Sequence, residues 1–206
     1  MDEQILVIPR SFLFRGNNQT FQGLISPPNH YFLELVSAGS FFMPRPEMEQ
    51  DPRYKQLIIY IVLRHRNTVF VYRRAKGSNE KRLLNKYSLG LGGHINPCRA
   101  GSFGELLDTN LKRELLEETN VKDRFSYHLL GVINDDLTEV GLYHLGLVYL
   151  VSCATPEVTV REKNKLVGSL RPVSEILNGQ YQWETWSSFL LPEIRRICVQ
   201  KPLKEE

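Results

Sequence analysis

Three cysteines in 206 residues (Cys98, Cys153 and Cys198), widely separated and odd in number, form neither a disulfide framework nor a zinc-ligand spacing. That usage predicts a reducing, cytoplasmic setting. Cys98 alone lies near the glycine-rich region described below, and it reads as a passive loop thiol. Long apolar runs are also missing. LIIYIVL at 57–63 and LGLVYLV at 145–151 fall well short of the ~20 residues that span a bilayer, so both read as buried strands and no membrane partner is expected. The opening MDEQILVIPR is acidic where a secretory signal would be basic, and its apolar stretch is short, so no export signal is expected. Neither charge sign is in excess: 26 Lys and Arg against 23 Asp and Glu leave +3, too little to predict a nucleic-acid partner. Small phosphorylated molecules remain compatible with that balance.

What is present is an ordinary globular composition, 42% hydrophobic and 24% charged, in a chain long enough to bury a core. The expected organisation is an N-terminal extension over 1–53, irregular apart from the strand-like ILVIP, packing on a main domain over 54–206. KQLIIYIVLRH and NTVFVYRR read as strands joined in a hairpin by His65-Arg66-Asn67. A basic loop leads to the glycine-laden LGLGGHINPCRAGSFG. Leu107, Leu111 and Leu115, four apart, predict a helix over 105–119 with one buried stripe. HLLGVIN and YHLGLVYLVS are further strands, with the acidic DDLTEVGL between them. WETWSSFLLPEIRRICV reads as a late helix, limited or kinked by Pro192. The fold class expected is α/β (α+β), a mixed sheet sandwiched between helices.

The predicted helix gathers Arg113, Glu114, Glu117 and Glu118 into six positions. At about 100° per residue the three glutamates occupy one arc of the helix. Like charges so placed repel by a few tenths of a kcal/mol per pair, and acidic helix faces are commonly just solvated. A hard divalent cation removes the conflict, because Mg²⁺ takes oxygen ligands and is typically shared between carboxylates and substrate phosphates. Upstream, Gly92-Gly93 lets backbone groups approach a metal or phosphate closely.

Taken together, Glu105, seven intervening residues, and Arg113-Glu114-Leu115-x-Glu117-Glu118-x-Asn120-Val121 resemble the Nudix box, G-x5-E-x7-R-E-U-x-E-E-x-G-U with U aliphatic. Asn120 stands where the family has glycine, and Asn is the best non-glycine occupant of a left-handed position after a helix. The larger departure lies upstream, where eleven residues rather than five separate Gly93 from Glu105. The order of strands and helices over about 54–200 is also that of the Nudix fold, and EKRLLNKYSLGLGGHIN and TEVGLYHLGLVYL are similar to a bacterial subgroup of predicted phosphoesterases.

The resemblance implies that Glu114, Glu117 and Glu118, helped by the Gly92 carbonyl, bind Mg²⁺ or Mn²⁺. Arg113 is expected to orient Glu117 or Glu105, and Glu105, half a turn away from Glu114, to act as support. The general base is Glu114 or, from the later loop, Glu139. Arg73, Arg74 and Arg82 belong to a basic cluster suited to substrate phosphates, although charge runs are usually solvated. His94 reads equally as a binding or a structural residue, and His144 more readily as structural. Tyr87, Trp183 and Trp186 suit base stacking, with core packing the default. The implied activity is metal-dependent hydrolysis of the diphosphate linkage in a nucleoside diphosphate derivative. The alternatives are a non-catalytic nucleotide-binding or sensor module and an isoprenoid diphosphate isomerase-like enzyme. The partners expected are a small-molecule diphosphate and, where the chain assembles, a second copy in a homodimer.

Overall fold

The computed structural model describes residues 2–15, 20–28, 30–74, 86–121, 125–161 and 166–199. It divides into two compact units, Met1–Ile61 with Leu91–Glu117 and His128–Tyr149, and Val62–Gly90 with Glu118–Tyr127 and Leu150–Glu206. The elements of the first are β1 (Gln4–Pro9), α1 (Arg10–Leu13), β2 (Gly23–Ile25), α2 (His30–Gly39), β3 (Phe41–Pro44), α3 (Arg45–Met48), β4 (Tyr54–His65), β7 (Gly90–His94), α4 (Phe103–Glu118), β8 (Phe125–Asn134), α5 (Glu139–Tyr143) and β9 (His144–Cys153). The chain passes between the units within β4, β8 and β9, at the start of β7 and at the end of α4.

Burial along β4 is nearly continuous. Side chains alternate between the faces of a strand, so both faces of β4 are covered. β1 pairs antiparallel with β4, Val7 opposite Gln56, and on its other side with β3, Gln4 opposite Pro44. β7 and β9 also pair with β4, β8 pairs with β9, and β2 lies along β8 with Gly23 opposite Asn134. α4 buries Leu107, Leu111 and Leu115, the stripe that the spacing predicted. The N-terminal stretch, expected to be irregular beyond ILVIP, carries α2, whose buried Phe32, Leu35 and Val36 follow i, i+3, i+4, and the two short strands β2 and β3. Among the described residues no helix is long and apolar enough to cross a membrane.

The second unit contains β5 (Thr68–Arg74), β6 (Tyr87–Ser88), β10 (Leu166–Pro172), α6 (Val173–Asn178) and α7 (Thr185–Val199). The expected hairpin is present: Arg64 faces Val69 and His65 faces Thr68, leaving Arg66 and Asn67 as the turn, with Arg66 at φ +52°. β5 pairs with β10 and β6. α7 buries Trp186, Leu190 and Ile194 and contains Pro192. It starts at Thr185 rather than Trp183 because the Glu184 carboxylate accepts the N–H groups of Trp186 (2.9 Å) and Ser187 (2.8 Å), capping the helix at that point.

One charged residue, Lys55, interrupts the apolar burial near the start of β4. Lys55, 0% exposed, donates from Nζ to Asp136 (2.8 Å) and to the Gly141 carbonyl (2.7 Å). Asp136 also accepts two hydrogen bonds from Arg10 (2.7 and 2.9 Å) and one from Thr20 (2.8 Å). Burial alone would raise the Asp136 carboxyl, but the hydrogen bonds from Arg10, Lys55 and Thr20 outweigh it and hold the group well below the aspartate range. A depressed folded-state pKa contributes stability that is present above the unfolded value of 3.8 and is lost as pH falls toward the folded one. Asp136→Asn should therefore cost about 1.5–3 kcal/mol at pH 7 and show a flatter loss of urea stability than the wild type below about pH 4. Equal acid-side slopes for the two proteins would contradict this role of Asp136.

Candidate active site

The glycine pair on β7 is required by two different close approaches. Gly92 has φ +147°, and a Cβ there would fall 1.8 Å from the Ile59 carbonyl oxygen, so no side chain fits. At Gly93 a Cβ would sit 2.8 Å from Oε1 and 3.0 Å from Oε2 of Glu114. The volume that a side chain would take is filled by the Glu114 carboxylate. Glu114 is only 6% exposed, because its neighbours Leu111 and Leu115 turn this side of α4 inward.

A buried carboxylate needs a compensating charge, and Arg113 supplies it. Its Nη2 lies 2.7 Å from Glu114 Oε1 and donates to the His94 carbonyl (2.8 Å) and to Asn110 Oδ1 (3.1 Å). Its Nη1 donates to Glu117 Oε2 (3.0 Å). One guanidinium thereby joins two box glutamates to the end of β7.

The box glutamates do not converge unaided. Glu117 is 58% exposed and drawn toward Arg113, while Glu118 is the last residue of α4, its carbonyl accepting the Arg161 N–H (2.9 Å). Among the described residues no three His, Cys, Asp or Glu side chains stand at metal-holding spacing. The donor chemistry nonetheless suits Mg²⁺ or Mn²⁺: hard oxygens only, one of them pressed into a cradle that a Cβ at Gly93 would fill. The residues fit such an ion.

His94 ends β7 with a fixed tautomer. Gln56 Nε2 donates to the Met48 carbonyl (2.9 Å), which can only accept, so Gln56 Oε1 faces His94 Nε2 at 2.7 Å and that nitrogen carries the proton. Burial pushes the His94 imidazole down to about 3, and the positive Arg45 and the neighbouring His144 act in the same direction. His94 is therefore neutral and offers Nδ1 as an acceptor. The rings of His94 and His144 lie 5.8 Å apart, and His144 donates from Nδ1 to the Val140 carbonyl (2.6 Å). This contact brings the end of α5 to the end of β7. Glu139, the other candidate base, is exposed in the first turn of α5, where Thr138 Oγ1 accepts the Gly141 N–H (3.1 Å).

Other expected site residues lie elsewhere. Glu105 caps the start of α4, accepting the Gly101 N–H (2.6 Å) while Ser102 Oγ accepts the Glu105 N–H (3.2 Å). Nine residues of helix, about 13 Å, separate it from Glu114. Arg73 is exposed on β5 in the second unit, and the side chain of Arg74 and the whole of Arg82 lie outside the described residues. Trp186 is core, whereas Tyr87 and Trp183 are half-buried and cluster with Tyr181, at ring distances of 6.1 Å from each other and 4.8 Å from it.

Asn120 corrects an expectation. Among the described residues Arg66 alone of the non-glycines has positive φ, so Asn120 is not left-handed. Its side chain works instead: Oδ1 accepts the Thr159 N–H (2.7 Å), Nδ2 donates to the Glu157 carbonyl (3.4 Å), and its own N–H donates to the Thr159 carbonyl (3.0 Å). A glycine could make only the last of these.

The longer segment between Gly93 and Glu105 is stapled rather than loose. Asn110, buried on α4, accepts the Asn96 N–H (2.9 Å) and donates to the Asn96 carbonyl (3.0 Å). Asn96 Nδ2 in turn donates to Glu3 and to the Gln4 carbonyl. Sequence reasoning missed Gln56, Asn96, Asn110, Lys55 and Asp136. The one visible signal was a lysine and a glutamine at the start of an otherwise apolar strand.

No family model matches the chain. It is 40% identical over 199 residues to Protein YmaB of Bacillus subtilis (strain 168), covering 93% of this chain and 97% of YmaB. Its fold is similar to that of Tm1382, a protein assigned to the Nudix hydrolases, with a TM-score of 0.78 and 28% identity over 95% of this chain and 100% of Tm1382. A MutT/nudix family protein from Enterococcus faecalis, 16% identical at a TM-score of 0.50 over 71% of this chain and 63% of that one, shares the fold alone. With the box glutamates on α4 and the glycine pair on β7, these likenesses place the chain in one family with YmaB, within the Nudix hydrolase superfamily of enzymes acting on acid anhydrides.

Proposed function

We propose that this enzyme is a Mg²⁺- or Mn²⁺-dependent hydrolase that cleaves the diphosphate linkage of a nucleoside diphosphate derivative by water attack at phosphorus. The observation that carries the reading is the Glu114 carboxylate, buried against Gly93 and paired with the Arg113 guanidinium. Glu114, Glu117 and Glu118, with the Gly92 carbonyl, would hold the ion. When bound, it supplies charge neutralisation at the phosphoryl oxygens and makes water more acidic.

The chain's own residues divide the remaining work. Arg113 positions Glu114 and Glu117 and ties them to the His94 carbonyl. With its Oε1 engaged by Arg113, Glu114 is better placed as a ligand than as a base. Glu139, exposed on α5, accepts the proton of the attacking water. The anhydride P–O bond breaks as the new one forms, and the leaving phosphate departs as an anion. His94, neutral and fixed by Gln56, offers Nδ1 to a hydroxyl or amino group of the substrate.

A panel of dinucleoside polyphosphates, sugar nucleotides, ADP-ribose, NADH, oxidised triphosphates and non-nucleotide diphosphates, assayed with Mg²⁺ and with Mn²⁺, tests the activity. At least one should be turned over, and Glu117→Gln and Glu118→Gln should each lower that turnover by about 10²-fold or more while the substrate still binds. Binding without turnover under either metal would instead make the protein a sensor. The cradle itself can be tested by Gly93→Ala. The displaced atoms are the flexible end of Glu114, so the variant should fold with a loss of about 1–3 kcal/mol or less, yet bind Mn²⁺ about tenfold more weakly in a titration followed by electron paramagnetic resonance. Unchanged Mn²⁺ affinity in a folded Gly93→Ala protein would remove Glu114 from the ligand set.

A further inference from the structure

A second polar network of the first unit lies outside the box, around Asp135 and Asp136. Asp135 is fully buried, and its Oδ1 accepts from Gln22 Nε2 (2.7 Å) and the Leu137 N–H (3.1 Å), while Oδ2 accepts from Thr138 Oγ1. Beside it, Asp136 takes Arg10, Thr20 and Lys55 on its carboxylate, and its N–H donates to Gln22 Oε1 (2.9 Å). Gln22 thus holds both aspartates, one through each end of its amide. Asn134 donates to the Phe21 carbonyl (2.6 Å), continuing the β2–β8 pairing onto the same stretch.

Every one of these contacts ends on the five residues just before Glu139. α5 has only five residues, far fewer than a helix needs to persist by itself in water. Its conformation is set from outside: Lys55 Nζ binds the Gly141 carbonyl, Thr138 caps the first turn, and a Cβ at Gly141 would lie 2.3 Å from the Asp135 carbonyl oxygen, so the turn is packed directly on the aspartate pair. The Lys55 amino group is sealed from solvent. It has no access to a ligand, and its work is confined to the loop.

We propose that the N-terminal segment, through Arg10, Thr20 and Gln22 and together with Lys55, positions the loop that carries Glu139 by clamping Asp135 and Asp136. None of these side chains touches substrate; they are positioning residues. The proposal rests on Glu139 as the proton acceptor only for its catalytic consequence, because the ordering of the loop is a separate and directly measurable claim.

Two variants that leave the aspartates in place test it in the full-length protein. Arg10→Met removes the bidentate contact, and Gln22→Leu removes the amide shared by the two aspartates. Amide exchange over 135–143 should rise about tenfold or more in both, with the protection of β4 and α4 unchanged. For whichever diphosphate of the panel is cleaved fastest, kcat should fall about tenfold with KM nearly constant, and neither substitution should lower kcat further in a Glu139→Gln background. Unaltered exchange at 135–143 overturns the proposal whatever the kinetics show, and losses that multiply with Glu139→Gln overturn its catalytic part. Should Glu139→Gln retain wild-type turnover, the assignment of the base fails, while the exchange measurement still decides whether the N-terminal segment orders this loop.

Discussion

Carboxylates one turn apart on a helix repel, and burial makes that repulsion worse. The candidate active site is arranged around the guanidinium that absorbs it. Arg113 reaches Glu114, Glu117, Asn110 and the His94 carbonyl at the same time. A lysine ammonium, without the planar fork, could not span them all. Because Arg113 also contacts Asn110, and Asn110 is paired with both backbone groups of Asn96, the charge balance of α4 and the path of the lengthened loop are linked in one network. Gly93 completes it by leaving the volume into which Glu114 is pressed.

The same physical solution recurs around Asp135 and Asp136, where the acids lie in a loop and the cations come from α1 and β4. Here burial is deeper, and it tells on the lysine: desolvation pushes Lys55 down to about 8, with Asp136 pulling the other way. A cation so placed is costly unless its hydrogen bonds are met, and both acceptors, the Asp136 carboxylate and the Gly141 carbonyl, are in the segment around α5. The two networks approach each other at His94 and His144, whose rings adjoin while each imidazole is held through one nitrogen by its own partner.

What could be read from the residues was whatever depends on local periodicity. Leu107, Leu111 and Leu115 define α4, the apolar run defines β4, and two polar residues between strands define the hairpin at Arg66 and Asn67. The box glutamates and the glycine pair were legible for the same reason, since their spacing is short-range. Elements made by distant partners were not. α5 is shorter than any periodic signal, β2 and β3 owe their existence to β8 and β1, and the start of α7 is moved two residues by the Glu184 cap. Likewise Asn110 shows no sign in sequence that it pairs with a residue fourteen positions earlier.

The two departures from the Nudix pattern show how such long-range bonds change the meaning of a residue. A glycine after the helix serves by its freedom to turn left-handed, whereas Asn120 uses its amide to join the segment at Glu157 and Thr159, and the carbonyl of Glu118, the last residue of α4, is met by the Arg161 N–H. Arg161 adds to this closure, donating to the Thr119 carbonyl (2.8 Å), where a cation also opposes the negative end of the helix dipole. The extra residues between Gly93 and Glu105 are accommodated through Asn96 and Asn110, again by side-chain amides that mimic backbone pairing. In both places side-chain amides make the hydrogen bonds that the changed stretch of motif requires, at Asn120 with Thr159 and Glu157 and at Asn110 with Asn96.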